Sequence, residues 1–199
     1  LRRVAFMRIG ILQTGHAPDE MRPLLGNYSN LFEKFLDGNG FDFVVYDVVD
    51  MAFPGTVHDC DGWLITGSKH GAYEDHAFIP PLEVFIRDCY AADVPMVGVC
   101  FGHQIIAQAL GGTVAKFDGG WAVGRQTSDW QGEELALNAW HQDQVLTPPE
   151  GAKTLAGNDF CTHAALVYDD KAFSVQPHPE FDSDFVAGLT KFRRYKTIT

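Results

Sequence analysis

Hydrophobic and polar positions alternate along this chain in blocks that predict an α/β fold. Short apolar runs rich in β-branched and aromatic residues are interleaved with stretches whose apolar positions repeat at helical spacing. In the first half, strands are predicted at residues 8–13, 41–47 and 62–66 and in the apolar run that ends at Cys100. Helices are predicted at residues 28–36, 81–92 and 105–112, and glycines close the first and last of them.

The second half of the chain changes character, because short strand-like pieces are separated by polar turns. These pieces lie at residues 122–126, 135–139, 153–156, 165–168 and 172–176. They predict extra, partly antiparallel strands that extend the sheet. No repeat, low-complexity tract or linker interrupts the sequence, so we expect a single domain over residues 1–199. Residues 1–6 could be an extension before Met7.

Composition excludes several classes of function. The chain has 199 residues, of which 46% are hydrophobic and 21% are charged, and its formal net charge is −11. A nucleic-acid backbone would be repelled by that charge, so we expect no nucleic-acid partner. The apolar runs are too short to cross a bilayer, and the first residues lack a secretion signal. We therefore expect no membrane association and a cytoplasmic location.

The four cysteines do not form a recognisable metal or disulfide pattern. They are Cys60, Cys89, Cys100 and Cys161, without a C-x-x-C pair. Reduced thiols in a cytoplasmic protein are the simplest interpretation, and three of the four are expected to be packing residues.

The fourth, Cys100, lies in the most informative segment of the sequence. Residues 95–104 read P-M-V-G-V-C-F-G-H-Q, an apolar run that ends in a Gly-x-Cys-x-Gly turn before a helical pattern. Such a turn lifts a thiol clear of a sheet edge, and glycines allow the backbone to pack closely. The helix that follows would favour the thiolate through its N-terminal amides. From the local pattern alone, Cys100 is either a nucleophile or a buried structural cysteine.

A nucleophilic thiol needs a base, and one of the eight histidines lies in a suitable context. Residues 175–181 read V-Q-P-H-P-E-F, in which a strand delivers His178 at its end and prolines on both sides restrict the backbone. Glu180 could orient the imidazole from the side away from the sulfur. The alternative is a solvent-facing turn that happens to contain His and Glu.

Together, the two motifs resemble the class I glutamine amidotransferase family. Its pattern is Gly-x-Cys-x-Gly-x-Gln followed much later by His-Pro-Glu, and the resemblance runs from Met7 to about residue 185. It implies a three-layer, flavodoxin-like fold with a mostly parallel central sheet and flanking helices. It also implies that Cys100 is the nucleophile, His178 the general base and acid, and Glu180 the orienting carboxylate.

The resemblance also implies an oxyanion site. Residues 62–75 read G-W-L-I-T-G-S-K-H-G-A-Y-E-D, where the family has a glycine-containing loop whose amide binds the oxyanion. Gly67 and Ser68 match that position, and the N–H of Phe101 is the second expected donor. Many members carry Gly-Gly-Pro here, whereas this chain has Thr66, Gly67 and Ser68. The alternative is an ordinary turn between a strand and a helix.

Further segments are similar to a stand-alone branch that includes the amidotransferase domain of GMP synthase and the γ-glutamyl peptidases. They are the run Y-E-D-H-A-F-I-P-P-L-E at residues 73–83 and the run W-H-Q-D at residues 140–143. The resemblance implies that Gln104, Ser68, His141 and Asp143 contact the substrate, although a satisfied polar loop would explain the second run equally well. His103 is expected on the helix surface. The remaining histidines, to which no role is assigned, are His16, His58, His70, His76 and His163.

The expected reaction is hydrolysis of the γ-amide of glutamine, or of a γ-glutamyl compound, through a Cys100 thioester. No cofactor is expected, and no metal at the cysteine. The partners would be the small-molecule substrate and, if the ammonia is used, a separate synthase subunit, because the chain has no nucleotide-binding motif. Two alternatives stay open: a stand-alone γ-glutamyl peptidase without an ammonia acceptor, and a non-catalytic regulatory or binding protein on the same fold.

Overall fold

The computed structural model describes the backbone of residues 6–197 and the side chains of residues 6–193. The proposed extension at residues 1–6 therefore lies, except for Phe6, outside the described residues. Within the described part, no helix is long and apolar enough to cross a membrane.

Eleven strands are present among the described residues. They are β1 (Met7–Leu12), β2 (Phe41–Tyr46), β3 (Gly62–Ile65), β4 (Met96–Val99), β5 (Thr113–Lys116), β6 (Ala122–Trp130), β7 (Glu133–His141), β8 (Asp143–Thr147), β9 (Lys153–Gly157), β10 (Ala165–Tyr168) and β11 (Ala172–Val175).

Five α-helices accompany them in the described part of the chain, together with a 3₁₀ turn at Val48–Asp50. They are α1 (Arg22–Leu25), α2 (Tyr28–Phe35), α3 (Ile79–Ala91), α4 (Phe101–Ala109) and α5 (Ser183–Thr197). Asn27 caps α2 by accepting a hydrogen bond from a backbone N–H, and the Asn30 side chain accepts one from the backbone N–H of Asn27.

Nine strands form one sheet in the order β2-β1-β3-β4-β11-β10-β9-β6-β7. The first five are parallel, and β10, β9, β6 and β7 extend them as antiparallel neighbours. Strands β5 and β8 form a separate antiparallel pair. The expected mostly parallel central sheet with an antiparallel extension is therefore confirmed. Since β4 and β11 are neighbours, their carboxyl ends, which precede Cys100 and His178, meet at one edge.

The two faces of the parallel sheet are covered by different helices. On one face, Leu12 and Ile65 belong to a core cluster with residues of α3 and α4. On the other, Ile11 and Leu64 pack with Phe32 of α2. Neighbouring residues of a strand point to opposite faces, so the unbroken apolar runs of β1 and β3 supply both cores. The expected three layers are confirmed.

The structure differs from the sequence prediction mainly where the apolar signal is weak. Strands β5 and β8, the short helix α1 and the C-terminal helix α5 were not predicted, because they are short or mostly polar. Helix α4 begins directly after Cys100, four residues before the predicted run. The single domain over residues 1–199 stays a prediction.

Candidate active site

Cys100 occupies a sharp turn between β4 and α4. Its backbone has φ 55° and ψ −104°, a region that residues with a side chain rarely adopt. The N–H of Cys100 donates to the carbonyl of Val175 at 2.9 Å, which ties the turn to the end of β11. The turn is therefore held by the sheet, with Cys100 at the N-terminus of a nine-residue helix.

The two glycines of the turn are required by backbone packing. A Cβ added to Gly98 would lie 2.4 Å from the carbonyl oxygen of Gly102, and one added to Gly102 would lie 2.2 Å from that of Ile65. The N–H of Gly102 also donates to the carbonyl of Thr66 at 3.1 Å, which brings the loop after β3 against the start of α4. The predicted close packing at these glycines is confirmed.

His178 lies two residues beyond the end of β11 and is fixed from three sides. Its N–H donates to the carbonyl of Asn138 at 2.7 Å. Its ring stacks on Phe181, with centroids 3.8 Å apart and planes within 3°. Its Nδ1 lies 2.7 Å from Oε1 of Glu180, and both residues are buried. The imidazole therefore has one defined orientation.

The protonation of His178 is set by its neighbours. Burial alone would lower its pKa, but the charges of Glu180 and Cys100, together with its hydrogen bond to Glu180, outweigh that effect and raise the pKa to about 10. The site thus favours an imidazolium over a wide range of pH.

Gly67 lies between the two side chains. A Cβ added there would be 3.0 Å from Cε1 of His178 and 3.6 Å from Cβ of Cys100. Among the described residues, neither the N–H of Gly67 nor that of Phe101 donates to a protein acceptor. Both amides are therefore available to a ligand.

The segment that follows β7 is fastened by two buried side chains. Gln104 donates from Nε2 to the carbonyl of Asp143 at 2.9 Å, and also to Oε1 of Gln176 at 3.1 Å. Nδ1 of His141 lies 3.2 Å from the same Asp143 carbonyl. Burial, aided by the charge of His178, lowers the pKa of His141 to about 4, so this imidazole is neutral. Gln104 and His141 therefore hold the backbone at Asp143 in place.

The side chain of Asp143 itself faces Tyr73, whose hydroxyl donates to Oδ1 at 3.0 Å. Burial raises the pKa of the Asp143 carboxyl above its ordinary value. Ser68 uses its hydroxyl within the protein: it donates to the carbonyl of Thr14 at 2.8 Å and accepts from the N–H of His70 at 3.1 Å.

A cavity of about 680 Å³ unites most of the residues singled out by the sequence. Those that line it are Gly67, Ser68, Cys100, Gln104, His141, Asp143 and His178. Glu180 lies behind His178, and the ring of Phe101 packs in the core against Phe78, with centroids 6.0 Å apart. A buried thiol beside a charged imidazole in a polar cavity is an arrangement suited to acyl transfer.

Comparison with known proteins identifies the family. A model of the class I glutamine amidotransferases matches residues 46–185. The chain belongs to the class I glutamine amidotransferase family.

The similar proteins fall into two groups. Gamma-glutamyl peptidase 4 of Arabidopsis thaliana is 33% identical over 177 residues, which cover 81% of this chain and 70% of the relative. A subunit of the glutamine-hydrolysing GMP synthase of Archaeoglobus fulgidus is 31% identical over 184 residues, which cover 87% of this chain and 93% of that protein. A crystal structure of a glutamine amidotransferase from Methylobacillus flagellatus superposes with a TM-score of 0.75 at 26% identity, covering 94% of this chain and 75% of its own.

Several residues of this amidotransferase site were missed by the sequence analysis. The cavity is also lined by three cationic residues, Lys69, Lys116 and Arg193, although the chain as a whole is acidic. Trp121 and Trp140 contribute aromatic surface. Trp140 directly precedes the H-Q-D run, which was a usable signal; the cations are scattered along the sequence and gave none.

The expectation that His103 lies on the surface of its helix is wrong. His103 is fully buried, and its Nδ1 lies 2.8 Å from Oγ of Ser174 in β11. Burial lowers its pKa to about 3, so the ring is neutral. Helix α4 packs against the sheet along most of its circumference, which leaves no exposed position for residue 103.

Proposed function

We propose that this member of the family hydrolyses γ-glutamyl compounds with Cys100 as nucleophile, His178 as general base and acid, and Glu180 as the orienting carboxylate. The observation that carries the proposal is the His178 imidazole, which is held by Glu180 on one side and borders the cavity beside Cys100. A charged imidazole next to a thiol favours the thiolate, which is the reactive form.

The amides of Gly67 and Phe101 are proposed to bind the oxyanion. Gly67 borders both Cys100 and His178, and Phe101 is the first residue of α4, so its N–H lies at the positive end of the helix dipole. Donors placed in this way typically contribute about 3 kcal/mol each to transition-state stabilisation.

The reaction then has two stages. The Cys100 thiolate attacks the γ-carbonyl carbon, the C–N bond breaks, and His178 gives its proton to the leaving amine, which leaves a γ-glutamyl thioester on sulfur. Neutral His178 next removes a proton from water, the hydroxide adds to the thioester carbon, and the C–S bond breaks to release glutamate. No protein residue other than these three needs to exchange protons.

The substrate's amino-acid end is proposed to lie near Asp143. Its carboxylate faces the cavity and is suited to an ammonium group, whereas Lys69, Lys116 and Arg193 are suited to carboxylates. Ser68 is proposed to contact the substrate from the opposite loop. Gln104 and His141 act through the backbone that they hold, so we assign them a positioning role rather than the direct contact expected from the sequence.

Stand-alone peptidase activity is the version that we favour. The cationic residues would accommodate the extra carboxylate of a γ-glutamyl peptide, and the Arabidopsis relative carries a peptidase name. The second candidate is an amidotransferase subunit that passes ammonia to a separate synthase, which the match over 93% of the archaeal GMP synthase subunit supports. A cytoplasmic location is proposed because all four buried cysteines are free thiols.

The decisive experiment compares ammonia release from glutamine with cleavage of γ-glutamyl peptides such as glutathione. The control is Cys100→Ser. Cleavage of peptides but not of glutamine supports the peptidase, and ammonia release that rises on addition of a synthase subunit supports the amidotransferase. A chloroketone analogue of glutamine should label Cys100 in peptide maps. Absence of that adduct, together with inactivity on both substrates, would favour a non-catalytic protein.

A further inference from the structure

The loop between β3 and α3 carries a compact group of metal-ligating side chains. The candidate ligand atoms of His70, Glu74 and His76 all lie within 4.8 Å of one another. Oε2 of Glu74 lies 2.8 Å from Nε2 of His76 and 3.9 Å from Nδ1 of His70. The centroids of the two imidazoles are 4.0 Å apart. Three ligands that are separated by up to six positions in sequence therefore converge on one point.

The donor set matches a divalent transition metal. Two imidazole nitrogens and one carboxylate oxygen form a common ligand set for Zn²⁺, with bond lengths of about 2.0–2.2 Å. Ligands at such distances from one ion are separated from one another by roughly 3–3.5 Å, which follows from tetrahedral geometry. The observed separations are close to that range, so small side-chain rotations would suffice. Burial, with the charges of His76 and Lys69, lowers the pKa of His70 and keeps a neutral ring that can ligate.

The surroundings hold the group together without supplying a competing cation among its direct contacts. The ring of Phe78 lies against both imidazoles, at centroid distances of 5.8 and 6.0 Å. The N–H of Glu74 donates to the carbonyl of Gly71 at 3.0 Å, which fixes the loop around the carboxylate. Lys69 is the adjacent charge that opposes a bound cation.

The group lies at the edge of the cavity described above. His70 and Glu74 line the cavity, whereas His76 does not. Substitution of His76 therefore tests the group without altering the cavity lining.

We propose that His70, Glu74 and His76 bind one Zn²⁺ ion at the rim of the active-site cavity. The proposal concerns binding alone and does not depend on the proposed hydrolysis. Three protein ligands leave a coordination position for water, as in open zinc sites.

The test is a titration of tag-free protein with Zn²⁺ against a chromophoric chelator. The Cys100→Ser variant is used as the background, because it removes the accessible thiol as an alternative ligand. We expect one Zn²⁺ per chain, with affinity reduced at least tenfold in His76→Ala and in Glu74→Gln. The matched control is His58→Ala, which removes an exposed histidine outside the group and should leave binding unchanged.

Circular dichroism establishes that each variant is folded, and Glu74→Gln serves if His76→Ala is not. The visible spectrum of bound Co²⁺ gives a second measurement, which should show nitrogen and oxygen ligation and disappear in the same variants. Absence of stoichiometric binding would overturn the proposal. So would equal binding by His76→Ala and the background protein, or a loss of binding in His58→Ala.

Discussion

Nδ1 of His178 lies 2.7 Å from Oε1 of Glu180, two residues away in sequence, and both side chains are buried. The second oxygen of Glu180 is also buried, without a hydrogen-bond partner among the described residues. The carboxylate's charge is therefore balanced chiefly by the imidazole. This contact fixes which ring nitrogen is engaged by the protein and which remains for chemistry.

Replacement of Glu180 by glutamine should remove the charge while keeping the shape. Without the carboxylate, burial dominates and the pKa of His178 should fall below 7, which NMR titration of the imidazole would measure. We expect kcat/KM for a γ-glutamyl substrate to fall by about 10²- to 10⁴-fold, as when the orienting acid of a catalytic triad is neutralised.

The control for that variant is Asp182→Asn. Asp182 is also close to His178 in sequence, but its carboxylate is exposed and pairs with Lys34 at 3.0 Å. Its loss should change kcat/KM by less than about twofold, because exposed ion pairs contribute little. Wild-type activity in Glu180→Gln would contradict the proposed role.

Stability should depend on pH through the same histidine. The pKa of His178 is raised in the folded protein to about 10, so its protonation stabilises the fold fully below about pH 6.5 and the contribution disappears as pH rises through 10. The free-energy difference of unfolding between wild type and His178→Gln should shrink by at least about 1 kcal/mol between pH 6.5 and pH 10.

Urea denaturation at several pH values measures that difference. His58→Gln is the reference, because His58 is exposed and should show no comparable trend. A difference for His178→Gln that stays constant across the range would mean that its ionisation is not coupled to folding.

The glycines of the Cys100 turn should be sensitive to a single added methyl group. In Gly98→Ala the Cβ would meet the backbone of Gly102 at 2.4 Å, which only a backbone shift can relieve. We expect a loss of stability of about 1–3 kcal/mol or more, the usual cost of overpacking. Gly55→Ala is the control: its Cβ would lie 3.4 Å from the Asp59 carboxylate, and its effect should stay within about 0.5 kcal/mol.

The parallel core could be predicted from sequence because its signal is local. Strands β1 and β3 are short unbroken apolar runs that end in polar or glycine residues, and their bounds differ from the prediction by one residue. Strand β5 (T-V-A-K) and helix α5 have no comparable pattern, since β5 has one buried residue and the start of α5 is set by contacts of its apolar face. Tertiary packing decides such elements.

The candidate site divides in the same way. Cys100 and His178 lie in motifs whose glycines and prolines restrict the backbone locally, so sequence was sufficient to single them out. The position of Gln104 beside the Asp143 carbonyl depends on how α4 packs against β8, 39 positions later in the chain. The convergence of His70 and His76 on Glu74 likewise depends on a loop conformation for which no residue spacing was diagnostic.

Gly67 provides a test of the distance between the loop after β3 and the imidazole. In Gly67→Ala the new Cβ would lie 3.0 Å from Cε1 of His178, so the ring must move by a few tenths of an ångström. Alanine keeps the backbone N–H, and the proposed oxyanion donor is therefore retained. We expect kcat/KM to fall by about 10- to 100-fold, because small displacements of a catalytic group are costly. Gly62→Ala, in the same strand-loop segment but 3.4 Å from the Pro95 carbonyl, should keep near-wild-type kcat/KM. Denaturation curves for both variants separate the two possible causes: a stability loss in Gly67→Ala that matched its activity loss would show that the substitution disrupts folding rather than the position of His178.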